Sequence, residues 1–345
     1  MKKYVFIALF MFLYFRLEYA GAQTTFIAPE LLSRPTDNSI TLNAVADRDL
    51  EVYIEYGTES GVYAHQTSPK KYPNNSPIEI IIDGLQPDTR YYYCLRYRTP
   101  GSQRYRSRDE YSFHTQRRSG SRFIFTIQAD SHNYRSDPAE LKMYERTLLN
   151  ILADNPDFHI DLGDSFDMDT VRNANDAFEA YLRERPFYGK ITHSSPLFFV
   201  LGNHENEEGW HRTGTANNLA IWSVNARKTY YPNPVPNGFY TGNSNTERFV
   251  TGNGLPENYY SWQWGDALFV VLDPYWNTAI CPYDEDLGDD NWRWTLGYDQ
   301  YEWLRQIIEQ NTARFKFVFA HHVTGGVTVY GRGGIEAAPY YEWGV

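Results

Sequence analysis

Four clusters of potential metal ligands occur in the sequence, and each directly follows a short hydrophobic segment. They are Asp130-Ser131-His132, Gly163-Asp164-Ser165-Phe166-Asp167, Gly202-Asn203-His204-Glu205 and His321-His322. Carboxylate, amide and imidazole groups suit Zn, Mn or Fe, whereas a Cys-rich structural zinc site would need thiolates. Each cluster alone is a weak signal, because similar short sequences occur in ordinary turns and caps. All four clusters occur in one chain, and each follows a predicted hydrophobic strand. This arrangement predicts that the clusters meet at one site.

The predicted chemistry follows from the carboxylate of Asp164. A single carboxylate can bridge two cations. Two metal ions roughly 3.5–4 Å apart polarise a phosphoryl oxygen and lower the pKa of a bridging water, so hydroxide becomes available near neutral pH. These residue types therefore predict hydrolysis of phosphoesters.

The segments around the clusters predict a layered α/β domain. Buried strands are predicted at Phe123–Ala129, Phe158–Leu162, Leu197–Leu201, Ala267–Leu272 and Phe315–Ala320. The spacing of apolar residues predicts helices at Pro138–Ala153 and Asp299–Gln310, the second started by Asp299 or a neighbour as cap. Open α/β sheets place their sites at the carboxyl ends of strands, which is where the clusters lie.

Two long stretches of this domain show no regular pattern. Residues 206–260 are rich in Asn, Gly, Pro and Tyr, and residues 274–298 are acidic and Trp-rich. Such stretches usually line a site, so we expect them to form the walls around the substrate. The first contains Arg212, Arg227, Lys228 and Arg248, which could neutralise phosphate, although solvated loop charges are more common.

The N-terminal third of the chain shows a different pattern. Residues 24–116 contain short alternating strands separated by turns. Leu85-Gln86-Pro87-Asp88-Thr89-Arg90-Tyr91 is the usual setting of a tyrosine corner in a β-sandwich. This part resembles a fibronectin type III domain, with Ser112–Thr115 closing its last strand. A spacer or packing role is favoured over binding of carbohydrate or a partner.

Taken together, Asp-x-His, Gly-Asp-x-x-Asp, Gly-Asn-His-Glu and a strand ending in His-His resemble the motifs of the calcineurin-like metallophosphoesterase superfamily. The preceding fibronectin-like part is similar to that of secreted purple-acid-phosphatase-like members. The resemblance implies a β-sandwich at residues 23–118 and a four-layer αββα sandwich at residues 122–345. It also implies hydrolysis of phosphomonoesters or phosphodiesters by attack of a metal-bridging hydroxide.

The resemblance also implies which residues bind metal. The implied ligands of two divalent or trivalent ions are Asp130, His132, Asp164, Asn203 and His321. Asp130 and His132 would bind one ion, Asn203 and His321 the other, and Asp164 would bridge both.

Three further residues receive less direct assignments. His204 would contact the phosphate or protonate the leaving oxygen. His322 is less favoured as a ligand than His321, since the family's ligand is usually the first His after this strand. Purple acid phosphatases carry Tyr where this chain has Asp167, which places the chain closer to the general phosphoesterase pattern. We expect Asp167 to support the site or face solvent rather than bind metal.

The family's further Gly-His-x-His motif does not occur after His322 in this sequence. His193 or His211 could substitute, although a loop or turn histidine is the more common case. The simpler expectation is that the α/β domain is C-terminally incomplete.

The composition and the N-terminal residues limit the remaining functions. The net charge is -11 and no Lys/Arg-rich run occurs, which argues against a nucleic-acid binder. Residues 1–22 have the pattern of a signal peptide. An apolar run at Tyr4–Phe15 is followed by the small residues Ala20-Gly21-Ala22, which are typical of a cleavage site. We therefore expect a secreted or periplasmic protein without a membrane span after cleavage. Cys94 and Cys281 could form a disulfide or remain as two buried thiols.

Two functions compete at this point. The first is a phosphoesterase acting on a small-molecule phosphoester; the second is a non-catalytic, aromatic-rich binding protein on a degenerate phosphoesterase scaffold. The absent last motif favours the second function, and the intact ligand clusters favour the first. The sequence does not indicate an oligomeric state.

Overall fold

The structure is a computed structural model that describes residues 25–246, 254–282 and 294–322. The first eight strands are β1 (Phe26–Ser33), β2 (Ile40–Ala46), β3 (Leu50–Gly57), β4 (His65–Gln66), β5 (Lys70–Tyr72), β6 (Pro77–Ile82), β7 (Arg90–Arg98) and β8 (Arg106–His114). The remaining strands are β9 (Phe125–Gln128), β10 (Phe158–Asp161), β11 (Leu197–Phe199), β12 (Thr241–Gly242), β13 (Tyr260–Trp264), β14 (Ala267–Val271) and β15 (Phe315–Phe319). The α-helices are α1 (Pro138–Ala153), α2 (Ala174–Tyr188), α3 (Leu219–Tyr230) and α4 (Tyr298–Gln310). The predicted signal peptide and the predicted incomplete end of the α/β domain lie outside the described residues.

Strands β1 to β8 form the predicted β-sandwich. Strands β1, β2 and β6 pair antiparallel in one layer, and β3, β7 and β8 form the other. Apolar side chains from both layers, such as Leu42, Val52 and Phe113, fill the core between them. The Tyr91 hydroxyl accepts a hydrogen bond from the backbone N–H of Gln86 at 2.9 Å. This bond to the preceding turn is the predicted tyrosine corner.

The α/β part consists of two facing sheets with helices on their outer sides. Parallel strands β9, β10 and β11 belong to one sheet, and β12 to β15 form the other. Phe198 stacks on Trp262 of the facing sheet at 3.8 Å between ring centroids, whereas the next residue, Phe199, packs toward α2. On the far side, Leu268 and Val270 pack against α4. The predicted order of helix, sheet, sheet and helix is confirmed.

The two parts of the chain share one sheet, which the sequence did not predict. Strand β1 pairs with β2 on one edge and with β11 on the other, where Ser33 lies opposite Leu197. The resulting strand order is β6-β2-β1-β11-β10-β9. Nearby, the rings of Tyr111 and His193 stack at 3.9 Å. The sandwich therefore packs directly onto the α/β part, and the exact boundary between residues 118 and 122 stays a prediction.

Other elements correct or complete the sequence prediction. Helix α3 lies inside residues 206–260, which were wrongly predicted to be irregular throughout. Its N-cap is Asn218, whose side chain accepts from the N–H of Ile221. Helix α2 was not predicted, and it carries Pro186 in its last turn, which weakens the sequence pattern of a helix. The N-cap of α4 is Gly297 rather than Asp299 or another capping side chain.

Two further findings concern cysteines and membrane spans. Cys94 and Cys281 both lie among the described residues and are not joined by a disulfide. No helix in the described part of the chain combines the length and hydropathy of a membrane span.

Arg185 lies where α2, α3 and the sandwich meet. Its guanidinium is fully buried and donates to the side-chain oxygen of Asn43 at 2.6 Å and to the Tyr230 carbonyl at 2.7 Å. It also donates to the carbonyls of Pro29 at 2.5 Å and Asn43 at 3.0 Å. None of these acceptors is charged, and burial lowers the pKa of Arg185 to about 10. One side chain therefore satisfies backbone and side-chain oxygens on three elements.

We predict that Arg185→Met lowers the free energy of unfolding by about 3 kcal/mol or more. Each buried oxygen that loses its donor costs about 1–3 kcal/mol. Urea denaturation would measure the change, with Arg183→Met as control, since Arg183 is exposed on the same helix. The control should stay within about 0.5 kcal/mol of wild type. Equal unfolding curves for the two variants would contradict the role of Arg185.

Candidate metal centre

Tight turns at the carboxyl ends of β9 and β10 carry the first two ligand clusters. Asp130, His132 and Asp164 have left-handed backbone conformations, with φ of 54°, 40° and 59°. Such conformations are uncommon for residues other than glycine and collect at functional sites. The turns are joined, because the Asp130 N–H donates to the Gly163 carbonyl at 2.9 Å and the His132 N–H to that of Asp164 at 3.3 Å.

Two glycines let the turns after β10 and β11 approach each other. A Cβ atom on Gly163, whose φ is 93°, would lie 2.3 Å from the backbone nitrogen of Gly202. A Cβ on Gly202 would lie 2.3 Å from Oδ1 of Asp164. Side chains at either position would push the turns apart. The glycines of the Gly-Asp and Gly-Asn sequences are therefore required by the packing of the site.

Glu205 connects the same two turns through its buried carboxylate. Oε2 accepts from the N–H groups of Gly202 at 2.6 Å and Asp164 at 2.9 Å, and Oε1 accepts from Ser165 at 3.0 Å. Burial and the nearby Asp164 carboxylate raise the pKa of Glu205 to about 8, against the effect of these backbone donors. This role of Glu205 was not predicted from the sequence. A glutamate three residues after the residue that starts a turn, the spacing of a capping box, is the signal that could have shown it.

Asp164 lies at the centre of the ligand clusters and is 2% exposed. Its Oδ1 accepts from the His204 N–H at 2.8 Å. Its Oδ2 lies 3.2 Å from Nε2 of His321 and 3.7 Å from Nε2 of His132. Nδ1 of His321 lies 2.8 Å from the carbonyl of Leu162, a contact that orients the ring as in many metal sites.

The charges of Asp164 and His321 depend on each other. Burial alone would raise the pKa of Asp164, but the hydrogen bond and charge of His321 lower it to about 2. Burial alone would lower the pKa of His321, but the hydrogen bond and charge of Asp164, with Glu205, raise it to about 9. The surroundings of Asp164 thus favour positive charge strongly, as a cation site requires.

Two groups of three potential ligands share Asp164. One consists of His132, Asp164 and His204, the other of Asp130, Asp164 and His321, and the donor atoms within each lie within 4.8 Å of one another. A bridging ligand must belong to two such groups, and oxygen and imidazole donors fit Zn, Mn or Fe. The two groups divide His132 from Asp130, which were predicted to share one ion, although Nε2 of His132 lies 3.6 Å from Oδ1 of Asp130. The assignment of individual ligands to each metal ion stays a prediction.

The remaining predicted site residues lie around these groups. Asn203 begins the short 3-10 turn that follows β11. The carboxylate of Asp167 accepts a hydrogen bond from the Thr170 hydroxyl at 3.2 Å. Asp167 belongs to neither ligand group. The ring of His322 packs against Tyr275 and Trp294, with centroid distances of 5.6 and 5.0 Å.

Asp169 orients His204 and was missed in the sequence. Its Oδ2 lies 3.0 Å from Nδ1 of His204, and its Oδ1 accepts from the side-chain amide of Asn206 at 3.1 Å. Because Nδ1 of His204 contacts Asp169, only Nε2 of His204 is left to contact a metal ion or a substrate. Asp169 follows Asp164 by five residues in an irregular turn. In such a turn, spacing along the sequence does not predict which way a side chain points.

Three described cations in the first predicted substrate wall, Arg212, Arg227 and Lys228, contact other protein groups. Arg227 is fully buried and bonded to Glu207 at 2.6 Å, so it is neither a solvated loop charge nor a phosphate ligand. Lys228 donates to a backbone carbonyl in the same wall. The Arg212 guanidinium lies 4.4 Å from the ring of Trp276. Residue 248 lies outside the described residues.

Comparison with known proteins identifies related sequences and folds. The family model for calcineurin-like phosphoesterases matches residues 123–340, which is more than half of the chain. No curated protein matches the sequence significantly. The solved structure of PhoD has a TM-score of 0.59 and 15% identity, with coverage of 89% of this chain and 65% of PhoD. The chain thus spans slightly less than two thirds of PhoD, and the likeness is one of fold.

Two smaller β structures also match. The fibronectin type-III domain of human fibronectin type III domain containing protein 3 has a TM-score of 0.21 and 15% identity, covering 27% of this chain and 84% of that one. A redesigned β-sandwich protein has a TM-score of 0.20 and 13% identity, covering 25% of this chain and 88% of that one.

We predict that Glu205→Gln weakens metal binding by about 10–100-fold, the usual effect of losing support behind a ligand. The amide can replace only one of the two carboxylate oxygens, so a buried N–H of Gly202, Asp164 or Ser165 loses its acceptor. Titration calorimetry with Mn²⁺ on metal-depleted protein would measure the change. Glu179→Gln, on the exposed face of α2, is the control. Identical Mn²⁺ affinities in both variants would show that Glu205 does not support the site.

Proposed function

The chain belongs to the calcineurin-like phosphoesterases, and on this premise we propose that it hydrolyses phosphomonoesters or phosphodiesters with two metal ions that share Asp164. The observation that carries the proposal is the pair of ligand groups with one common buried carboxylate. The convergence of these ligands favours hydrolysis over a non-catalytic binding role. We also propose secretion or export to the periplasm, supported by the sequence of residues 1–22.

The proposed ligands supply three kinds of donor. They are Asp130, His132, Asp164, Asn203 and His321. Two metal ions bound there would polarise the phosphoryl group and lower the pKa of water. The carboxylate of Asp164 would supply negative charge that reduces the mutual repulsion of the two cations. The hydrogen bond from the His204 backbone N–H holds Oδ1 of Asp164 in place.

His204 is the proposed donor of a proton to the leaving oxygen. Asp169 contacts Nδ1 of the His204 ring, so Nε2 is the ring nitrogen left to act on the substrate, and His204 lies in a ligand group with Asp164. Its ring centroid lies 5.0 Å from that of His132. A ring oriented by a carboxylate and placed beside the reacting group meets the geometric requirement for general acid catalysis. The same position would also allow His204 to bind metal, and the two roles are separable by experiment.

We predict that Asp164→Asn removes most bound metal and nearly all phosphoester hydrolysis, with metal affinity reduced at least about 100-fold. The neutral amide cannot provide the shared negative charge between two cations. Metal content and turnover of p-nitrophenyl phosphate would measure both effects, and circular dichroism would check folding. Asp167→Asn is the matched control and should retain both metal ions. A folded Asp164→Asn protein with wild-type turnover would disprove the two-metal proposal.

We predict that His204→Ala lowers kcat by about 10²–10⁴-fold, the range for loss of a positioned general acid. Metal content should not change, because the proposed role does not involve a metal bond. Asp169→Asn should reduce kcat less, since the ring stays but loses its orientation. Loss of one metal equivalent from His204→Ala would identify His204 as a ligand instead.

A further inference from the structure

Glu208 is a buried carboxyl group whose Oε2 atom has no hydrogen-bond partner among the described residues. The side chain is nearly inaccessible to solvent. Burial, and the carboxylates of Glu205, Glu207 and Asp273, raise the pKa of Glu208 far above its usual range. An unsatisfied buried polar atom costs free energy, so its retention calls for a physical reason.

Nε2 of His211 lies 3.7 Å from that Oε2 atom. Glu208 directly precedes the 3-10 turn Gly209–His211, and His211 is the last residue of that turn. The Gly209 N–H donates to the Tyr275 carbonyl at 3.0 Å, and a Cβ on Gly209 would lie only 2.5 Å from the carbonyl of Thr278. The turn is therefore held against the neighbouring segment, and the carboxyl group and the imidazole face each other in a fixed arrangement.

The turn that carries His211 packs close to the metal centre, because Trp210 lies 5.7 Å from Trp294 and Trp294 lies 5.0 Å from His322, each between ring centroids. Burial lowers the pKa of His211, and the nearby carboxylate of Asp169 opposes this effect. The same Asp169 carboxylate orients His204 at 3.0 Å. The His211 side chain is 31% exposed, and its ring accepts or donates no hydrogen bond within the described residues. The Asp169 carboxylate therefore contacts one imidazole and acts on the charge of the second, His211, which is partly open to solvent.

We propose that His211 binds a phosphoryl oxygen of the substrate through Nδ1 and that Glu208 is the positioning residue that holds its ring. The inference rests on the proposed function. In its neutral form Glu208 can donate its hydroxyl proton to Nε2, which leaves the imidazole proton on Nδ1. That N–H would then donate to the negatively charged phosphoryl oxygen. Hydrogen bonds of catalytic groups are often long without substrate and shorten in the complex, consistent with the 3.7 Å separation.

The test uses metal-loaded full chain with inorganic phosphate in calorimetry and p-nitrophenyl phosphate in kinetics. His211→Ala should weaken phosphate binding and raise KM by about 10–100-fold, the effect of losing one hydrogen bond to a charged group. Metal content should equal that of wild type. His211→Asn places an amide N–H near the Nδ1 position and should restore most of the affinity. His65→Ala, an exposed histidine on β4, should behave like wild type.

A second measurement tests Glu208 independently of activity. The ¹⁵N spectrum of the His211 ring, assigned by comparison with His211→Ala, should show the proton on Nδ1. Glu208→Gln retains a donor toward Nε2 and should keep this tautomer and the phosphate affinity, whereas Glu208→Leu should lose both. A proton on Nε2 in wild type would overturn the positioning role.

The remaining outcomes separate this inference from the proposed function. Phosphate affinity within about twofold of wild type in His211→Ala, in a protein that hydrolyses p-nitrophenyl phosphate, would overturn the inference alone, since a bond to charge is worth more. Loss of metal from His211→Ala would make His211 a ligand and would also overturn it. A wild-type chain that neither binds metal nor turns over phosphoesters would refute both proposals.

Discussion

The bonds from three backbone N–H groups to the buried carboxylate of Glu205 hold the site together. They connect the turn after β10 to the turn after β11, so the carboxylate of Asp164 and the N–H of His204 meet at 2.8 Å. The close approach leaves no space for a Cβ on Gly163 or Gly202. Because Asp164 is fixed in this way, its second oxygen faces imidazoles on two sides, which is the geometry that a shared ligand needs.

The sheet that carries this turn extends into the N-terminal sandwich. Strand β11 lies between β10 and β1, so the strand that leads to Glu205 is supported on both edges. Arg185 adds a buried connection from α2 to the sandwich through carbonyl and amide oxygens. The sandwich therefore contributes a strand to the sheet that carries the candidate site. This pairing supports the strand that precedes one of the turns with candidate metal ligands.

The sequence predicted the parts of the structure that depend on local patterns. Helix α1 matches its predicted bounds because apolar residues recur at helical spacing over sixteen positions. Strands β10 and β15, which are rich in apolar residues, and the corner at Tyr91 were predictable from similarly local patterns. The pairing of β1 with β11 was not predictable, since nothing in either strand specifies a partner more than 160 residues away.

Side-chain roles in the site were predictable only where the residue type determines the chemistry. The ligand types could be inferred from motifs, but the function of Glu205 depends on bonds to Asp164 and Ser165, which lie 41 and 40 residues earlier. Asp169 and Glu208 are ordinary acidic residues in sequence. Their partners, the rings of His204 and His211, become evident only when the turns are placed in space.

The most direct test of the central claim is to count the metal ions and measure the distance between them. Elemental analysis of the purified chain gives the stoichiometry, and X-ray absorption at the metal edge gives the separation. We expect two ions per chain about 3.5–4 Å apart, as a shared carboxylate requires. A catalytically active chain with a single metal ion, or with two ions too far apart to share Asp164, would contradict the claim.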